Sequence, residues 1–221
     1  MSTHEVVLPL FSSASQLDGN PMNRKYRTIV ADPPWRIEMG PTLTKKHVKA
    51  ALEYPTMTQQ ELLQLPVGLW AQEKAHLYLW TTNAMLGDAL SLAKAWGFKF
   101  STLITWLKRR DERDRWQGLG RYYRVTTEHI VFAVRSGLDV LNKDQPNILE
   151  TMGIDNDGLA FYAARGGHSE KPAAFYDMVE RMSPGPYLDV FARKQRFNWD
   201  TFGDESYDFR EHGLWHKEPT E

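Results

Sequence analysis

The run Tyr26-Arg-Thr-Ile-Val-Ala31 is largely apolar and ends at Pro33 and Pro34. A short, largely apolar run broken by two prolines reads as a buried strand. Proline has no N–H to give a ladder, and its two copies end the strand there.

Later segments repeat the rhythm. Thr58-Gln-Gln-Glu61 is a capping box opening a short helix through Leu62, Leu63 and Leu65. His76–Trp80 is a second strand. Asn83 leads into a helix with Met85, Ala89, Leu92, Ala93 and Trp96 on one side, and Gly97 ends it. Phe98–Trp106 and Glu128–Val134 are the third and fourth strands, and residues 137–160 read as loop. Pro172 sits in the first turn of a helix whose apolar face is Phe175, Met178, Val179 and Met182. Ser183-Pro-Gly-Pro186 stops it, and Tyr187–Phe191 is a fifth strand. Strand, helix, strand in this order predicts βαβ units and a parallel sheet. Residues 1–24 form an arm, with Val6–Phe11 as a short strand and Ser12–Asn20 as loop. The core domain is expected over 25–205, with a polar tail over 206–221.

At 221 residues the chain is one domain that can bury a full core. It has no cysteine, which excludes disulfides, cysteine-ligated zinc, iron–sulfur clusters, a cysteine nucleophile and zinc-finger recognition. Apolar residues are 42% and charged ones 25%, a globular balance. No apolar run approaches a membrane span, and the N-terminus lacks a signal-peptide pattern. A soluble, cytoplasmic protein is the expectation.

Lys and Arg number 27 against 28 Asp and Glu, so any binding of nucleic acid needs a local patch. One candidate is Lys108–Arg124, with seven Lys or Arg against three acids and with Trp116, Tyr122 and Tyr123 interleaved. Guanidinium and aromatic planes together suit phosphate contact and base stacking. A solvated loop is the plainer reading, and the two stand even. The 8 Trp, 9 Tyr and 10 Phe fit base stacking too, although a well-filled core needs nothing more.

Asp32-Pro33-Pro34-Trp35 follows the first strand at its carboxyl end, where open α/β sheets bind ligands. A carboxylate beside a rigid acceptor carbonyl can hold an NH₂ group, and Trp35 offers a flat face next to it. An exocyclic base amine such as that of adenine fits this chemistry. A strand-to-turn ending with an incidental tryptophan fits the same four residues.

Asp32-Pro33-Pro34-Trp35 resembles the catalytic motif of adenine-N6 methyltransferases of the MT-A70 family. The likeness extends to Tyr54-Pro-Thr-Met57, Leu79-Trp80-Thr81-Thr82-Asn83, Trp96-Gly97-Phe98, Trp106-Leu-Lys108 and Glu128-His129. It continues through His168-Ser-Glu-Lys171-Pro172, Glu180-Arg181, the stretch from Ser183 to Arg193, and Asn198-Trp199 to Gly203-Asp204-Glu205. It covers roughly residues 24–205. The resemblance implies an α/β fold: a permuted Rossmann-like, S-adenosylmethionine-dependent methyltransferase with a mostly parallel central sheet and helices on both faces. That permuted order accounts for the absence of Gly-x-Gly-x-x-Gly after the first strand. Gly118 and Gly120 lack the third glycine.

The same resemblance implies site residues. Asp32, Pro33, Pro34 and Trp35 would be catalytic, with Asp32 also facing the cofactor. Lys171, Phe191, Arg193, Asp204 and Glu205 would contact S-adenosylmethionine, Asp204 standing where the family has Asn. Trp35 and Tyr54 would stack on or border the base, and, on the separate reading of Lys108–Arg124 as a nucleic-acid grip, Arg109, Arg110, Trp116, Tyr122 and Tyr123 would hold the substrate. His168 is balanced between a site and a cap role, and His129 is a locally satisfied strand residue. No metal is needed. Methylation of adenine in DNA is the leading reading, and RNA is the runner-up. A non-catalytic partner subunit and a generic nucleotide-binding module are the readings from other classes. A homodimer stays open, since a second subunit could supply the grip.

Overall fold

The computed structural model describes residues 24–36, 56–109, 122–151, 171–192 and 194–203. The arm with Val6–Phe11 and the tail over 206–221 lie outside the described residues.

Seven strands form one sheet: β1 (Tyr26–Ala31), β2 (Ala71–Thr81), β3 (Lys99–Lys108), β4 (Thr127–Arg135), β5 (Ile148–Thr151), β6 (Tyr187–Val190) and β7 (Trp199–Phe202). Their spatial order is β5-β3-β4-β2-β1-β6-β7. Strand β4 runs antiparallel to β2 and β3, and every other pairing is parallel. The sheet is therefore mostly parallel. The first and sixth strands lie side by side, fifth and sixth in that order, with β7 at the edge beyond them.

Side-chain alternation divides the core. Ile29, Ala31, Leu77, Leu79, Val131 and Leu188 pack on one face, against α1 (Gln59–Gln64), α2 (Val67–Trp70) and α3 (Leu86–Ala95). Val30, Tyr78, Trp80, Ile104, Trp106, Ile130 and Phe132 pack on the other, against α4 (Ala173–Met182). β1 is buried on both faces, which explains its near-continuous apolar run.

Helix ends follow their local chemistry. Both halves of the Thr58–Glu61 capping box are formed. Gly97 takes φ +86° after α3, and its N–H and that of Phe98 bond Lys94 O and Ala93 O, the double closure that favours glycine at this position. Helix α4 buries Phe175, Tyr176, Met178 and Val179.

Two strands depart from the reading of the sequence. Residues 137–160 read as loop, yet Ile148–Thr151 forms β5 beside β3. It is a four-residue edge strand that buries only Leu149, too little to show a period. β7 escaped for the same reason, being four residues long with only its terminal Trp199 and Phe202 buried. Phe191 is not the end of a strand either. It follows β6 with φ +68°, a turn residue. No helix among the described residues is long and apolar enough to cross a membrane.

Candidate active site

Because β4 runs backwards, its first residues reach the edge where the parallel strands end. That edge gathers Asp32 after β1, Thr81 to Asn83 at the end of β2, Lys108 closing β3, Glu128 opening β4, and Phe191 after β6. Lys171 joins them from just before α4.

The Asp-Pro-Pro-Trp turn is built from backbone bonds. Asp32 N–H donates to Val190 O at 3.3 Å, and Trp35 N–H donates to Pro33 O at 2.8 Å. Met57 N–H donates to Pro34 O at 2.8 Å, and Arg36 N–H returns a bond to Met57 O at 3.1 Å. Proline at both central positions removes competing donors and fixes φ. Pro33 is buried and Asp32 half-buried. Pro33 O retains a second lone pair beyond the bond to Trp35.

Trp35 differs from its expected role. Its ring is 7% exposed and lies in the core, and its indole N–H donates to Trp80 O at 3.0 Å. An indole enclosed in this way holds the turn and does not present an open stacking face.

Four charged groups form a chain across the edge. Lys171 Nζ lies 3.1 Å from Asp32 Oδ2 and 3.3 Å from Glu128 Oε2, and Lys108 Nζ lies 2.6 Å from Glu128 Oε1. Glu128 is 4% exposed at its side chain, Lys108 6%, Lys171 10% and Asp32 23%. Burial pushes the Glu128 carboxyl up, but the two ammonium groups outweigh it and hold the carboxyl below its ordinary value. Burial pushes Lys171 down, and Asp32 and Glu128 together hold it above the usual lysine value. At Lys108 burial, helped by the Lys171 ammonium, outweighs the pull of Glu128 and Asp32, and its ammonium sits below the ordinary value. Lys171 also lies over the Trp80 ring at 4.7 Å, and Lys108 over Trp106 at 4.3 Å.

Several expected substrate contacts change place. Lys108 was grouped with the charged loop but is a buried strand residue. Arg109 was expected on nucleic acid; its Nε donates to Glu150 Oε2 at 3.0 Å, so a partner on β5 already engages it. Tyr122 and Tyr123 are 82% and 87% exposed. Tyr54, Arg110, Trp116, His168, Arg193, Asp204 and Glu205 lie outside the described residues. His129 is bonded locally, to Thr105 Oγ1 at 3.2 Å and Asn83 Oδ1 at 3.0 Å, and burial lowers its pKa.

Sequence reasoning missed Glu128 and Lys108 as site residues. A signal was present. Continuing the two-residue period from Ile104 and Trp106 reaches Lys108, and from Phe132 and Ile130 it reaches Glu128. Opposite charges thus end two neighbouring strands on one face.

The residues present fit the amino-acid end of a zwitterionic ligand. A buried ammonium and a carboxylate stand side by side at the edge, complementary to an amino-acid end. Next to them the Phe191–Ala192 turn closes so tightly on β7 that a Cβ at Gly203 would collide with the Ala192 backbone. Phe191 N–H donates to Phe202 O, fixing that turn.

The MT-A70 family profile matches residues 26–205. The type II methyltransferase M.MunI from Mycoplasma sp is 29% identical over 198 residues, covering 82% of this chain and 78% of that one. The human N(6)-adenosine-methyltransferase catalytic subunit METTL3 is 26% identical over 186 residues, 82% of this chain. The chain spans 28% of the length of that relative. The human N(6)-adenine-specific methyltransferase METTL4 is 22% identical over 194 residues, of which the chain spans 39%. With the profile matched across the whole sheet and both ends of the charged chain, this protein belongs to the MT-A70 family.

Proposed function

We propose that this chain transfers a methyl group from S-adenosylmethionine to the N6 amine of adenine in nucleic acid, with DNA as the substrate. The observation that carries this reading is Asp32 at the carboxyl end of β1, paired with a buried lysine and followed by two prolines. DNA comes first because the match to the type II methyltransferase runs over most of that protein's length. The match to METTL3 gives RNA as the second reading.

When bound, S-adenosylmethionine supplies a methyl group made electrophilic by its sulfonium. The amine's lone pair is delocalised into the adenine ring, so the protein must draw it out. Asp32 and the Pro33 carbonyl accept the two amine hydrogens and favour a tetrahedral nitrogen. Positive charge would grow on that nitrogen as the N–C bond forms and the methyl–sulfur bond breaks, its electron pair staying on a neutral thioether, and the Asp32 carboxylate stabilises that charge more than the ground state. The proton released afterwards leaves along the hydrogen bond to Asp32. Lys171 is the cation suited to the methionine carboxylate, with Phe191 bordering the cofactor. Arg193, Asp204 and Glu205 are carried over from the family to its polar groups. An adenine in a duplex must be flipped out to reach this edge.

The test is transfer of labelled methyl to duplex DNA, single-stranded DNA and RNA, with digestion to nucleosides. N6-methyladenine from DNA is the expected product. Product from RNA alone installs the second reading, and cofactor binding without transfer to any substrate makes the chain a partner subunit.

A further inference from the structure

A lysine 3.1 Å from the carboxylate that must stabilise a cation poses a problem. While Asp32 stays committed to Lys171, its charge is neutralised and its oxygen is occupied. The geometry around Lys171 supplies a solution. Glu128 Oε2 lies 3.3 Å from the same ammonium, so Lys171 can surrender Asp32 and remain paired. Glu128 in turn is anchored by Lys108 at 2.6 Å on its other oxygen, which fixes its direction. Two cations and two carboxylates then alternate, with no net charge buried.

We propose that Glu128 and Lys108 are positioning residues, which set the charge and direction of Asp32 through Lys171. This rests on the reading of Asp32 as the amine acceptor. Glu128 receives Lys171 when Asp32 turns to the amine. Lys108 keeps Glu128 from drawing Lys171 away too strongly.

Other charged or titratable groups facing Asp32 among the described residues are Asp189 on β6 and Tyr176 on α4. The Tyr176 hydroxyl donates to Asp189 Oδ2 at 2.9 Å. β2 contributes Trp80, which carries no charge. The proposed substitutions leave all three unchanged, so their influence cancels in the comparison.

The arrangement predicts shifts of opposite sign. Methyl transfer needs ionised Asp32, so the single-turnover rate falls on the acid side as Asp32 protonates. Glu128→Gln removes an anion, favours the Asp32 carboxylate and moves that acid limb to lower pH. Lys108→Met removes a cation and moves it to higher pH, each by roughly a unit. Lys108→Arg keeps the charge and returns the limb toward wild type. The double variant Lys108→Met with Glu128→Gln removes one charge of each sign and returns the limb as well. It leaves neither partner of that pair unpaired, so it decides the matter where Lys108→Met alone fails to fold.

Rates are measured by rapid quench across pH with saturating S-adenosylmethionine and oligonucleotide. Thermal melts accompany them to show that each variant is folded. Opposite shifts with restoration in the double variant support the proposal. Shifts of one sign, or none, in folded variants overturn it. Asp32→Ala is run alongside: if it retains activity, the reading of Asp32 fails, and that failure is distinct from this one.

Discussion

The indole N–H of Trp35 donates to the backbone carbonyl of Trp80 at 3.0 Å, joining the Asp-Pro-Pro-Trp turn to the end of β2. This bond orients the turn that carries Asp32. Trp35→Phe keeps an aromatic ring in the core but removes the donor. The expected result is a loss of about 1 kcal/mol of stability, with a fall in kcat and little change in substrate affinity. Were Trp35 a stacking platform for the base, phenylalanine would stack as well and the defect would appear in KM. Steady-state kinetics with an oligonucleotide separate the two.

Asp32 and Lys171 should fail in different ways. Asp32→Ala abolishes methyl transfer while S-adenosylmethionine still binds, because the carboxylate acts on the amine. Lys171→Met weakens cofactor binding by about 1–3 kcal/mol, the expected loss of a charge-assisted hydrogen bond. Isothermal titration with the cofactor, alongside transfer assays, checks both. Activity of Asp32→Ala above a tenth of wild type would contradict the mechanism.

Substrate grip should follow the residues between β3 and β4 unevenly. Arg109 is already engaged by Glu150 at 3.0 Å, an ion pair near the surface. Arg109→Gln therefore changes nucleic-acid binding little. Replacing Arg110, Arg113 and Arg115 by Gln weakens it and flattens its salt dependence, since fewer counterions are released. Tyr122→Ala with Tyr123→Ala costs about 1–3 kcal/mol for each base that loses its stacking partner. Fluorescence anisotropy over a salt series reads all three. Equal slopes for wild type and the triple arginine variant would make the segment a solvated connector.

Acid should destabilise the fold through His76. This ring is fully buried, with Nδ1 2.8 Å from Ser183 Oγ and Nε2 2.8 Å from Leu138 O. Tyr78 OH, 2.7 Å from the same Ser183 oxygen, completes the chain as donor. Nε2–H donates to the carbonyl, Ser183 donates to Nδ1, and the ring is neutral. Burial lowers its pKa below the ordinary histidine value. The unfolded chain therefore binds the proton more readily. Stability is full above about pH 6.5 and declines as pH falls toward the lowered folded value, by up to about 1.4 kcal/mol per unit. His76→Gln should flatten the dependence of Tm on pH between 5 and 7. His129 shifts in the same direction but is less enclosed, so His129→Gln should flatten it less. Identical slopes in wild type and His76→Gln would assign the acid sensitivity elsewhere.

Much of this architecture could be read from side-chain periods. β1 was legible because both faces are buried, and α4 because Phe175, Met178 and Val179 share one stripe. β5 and β7 were not, since an edge strand of four residues places too few side chains inward to show alternation. The place of Asp32 at the end of β1 was legible from two prolines after an apolar run, whereas its ion pair with Lys171 was not. Trp35 misled because an aromatic next to a carboxylate invites a stacking role, and only the backbone partner at Trp80 reveals that it faces inward. Glu128 and Lys108 were hidden by their formal charge. Buried charges become intelligible once their partner across the sheet is known, and pairing between strands is a three-dimensional fact.

The reversed direction of β4 has one more consequence. β3 ends and β4 begins at the same edge, so the two chain ends to be joined there lie on one side of the sheet. Closing a longer excursion there costs little, about 0.6 kcal/mol for each doubling of its length. The length of the connection can therefore change at that seam at small entropic cost while the pairing of β3 with β4 is kept.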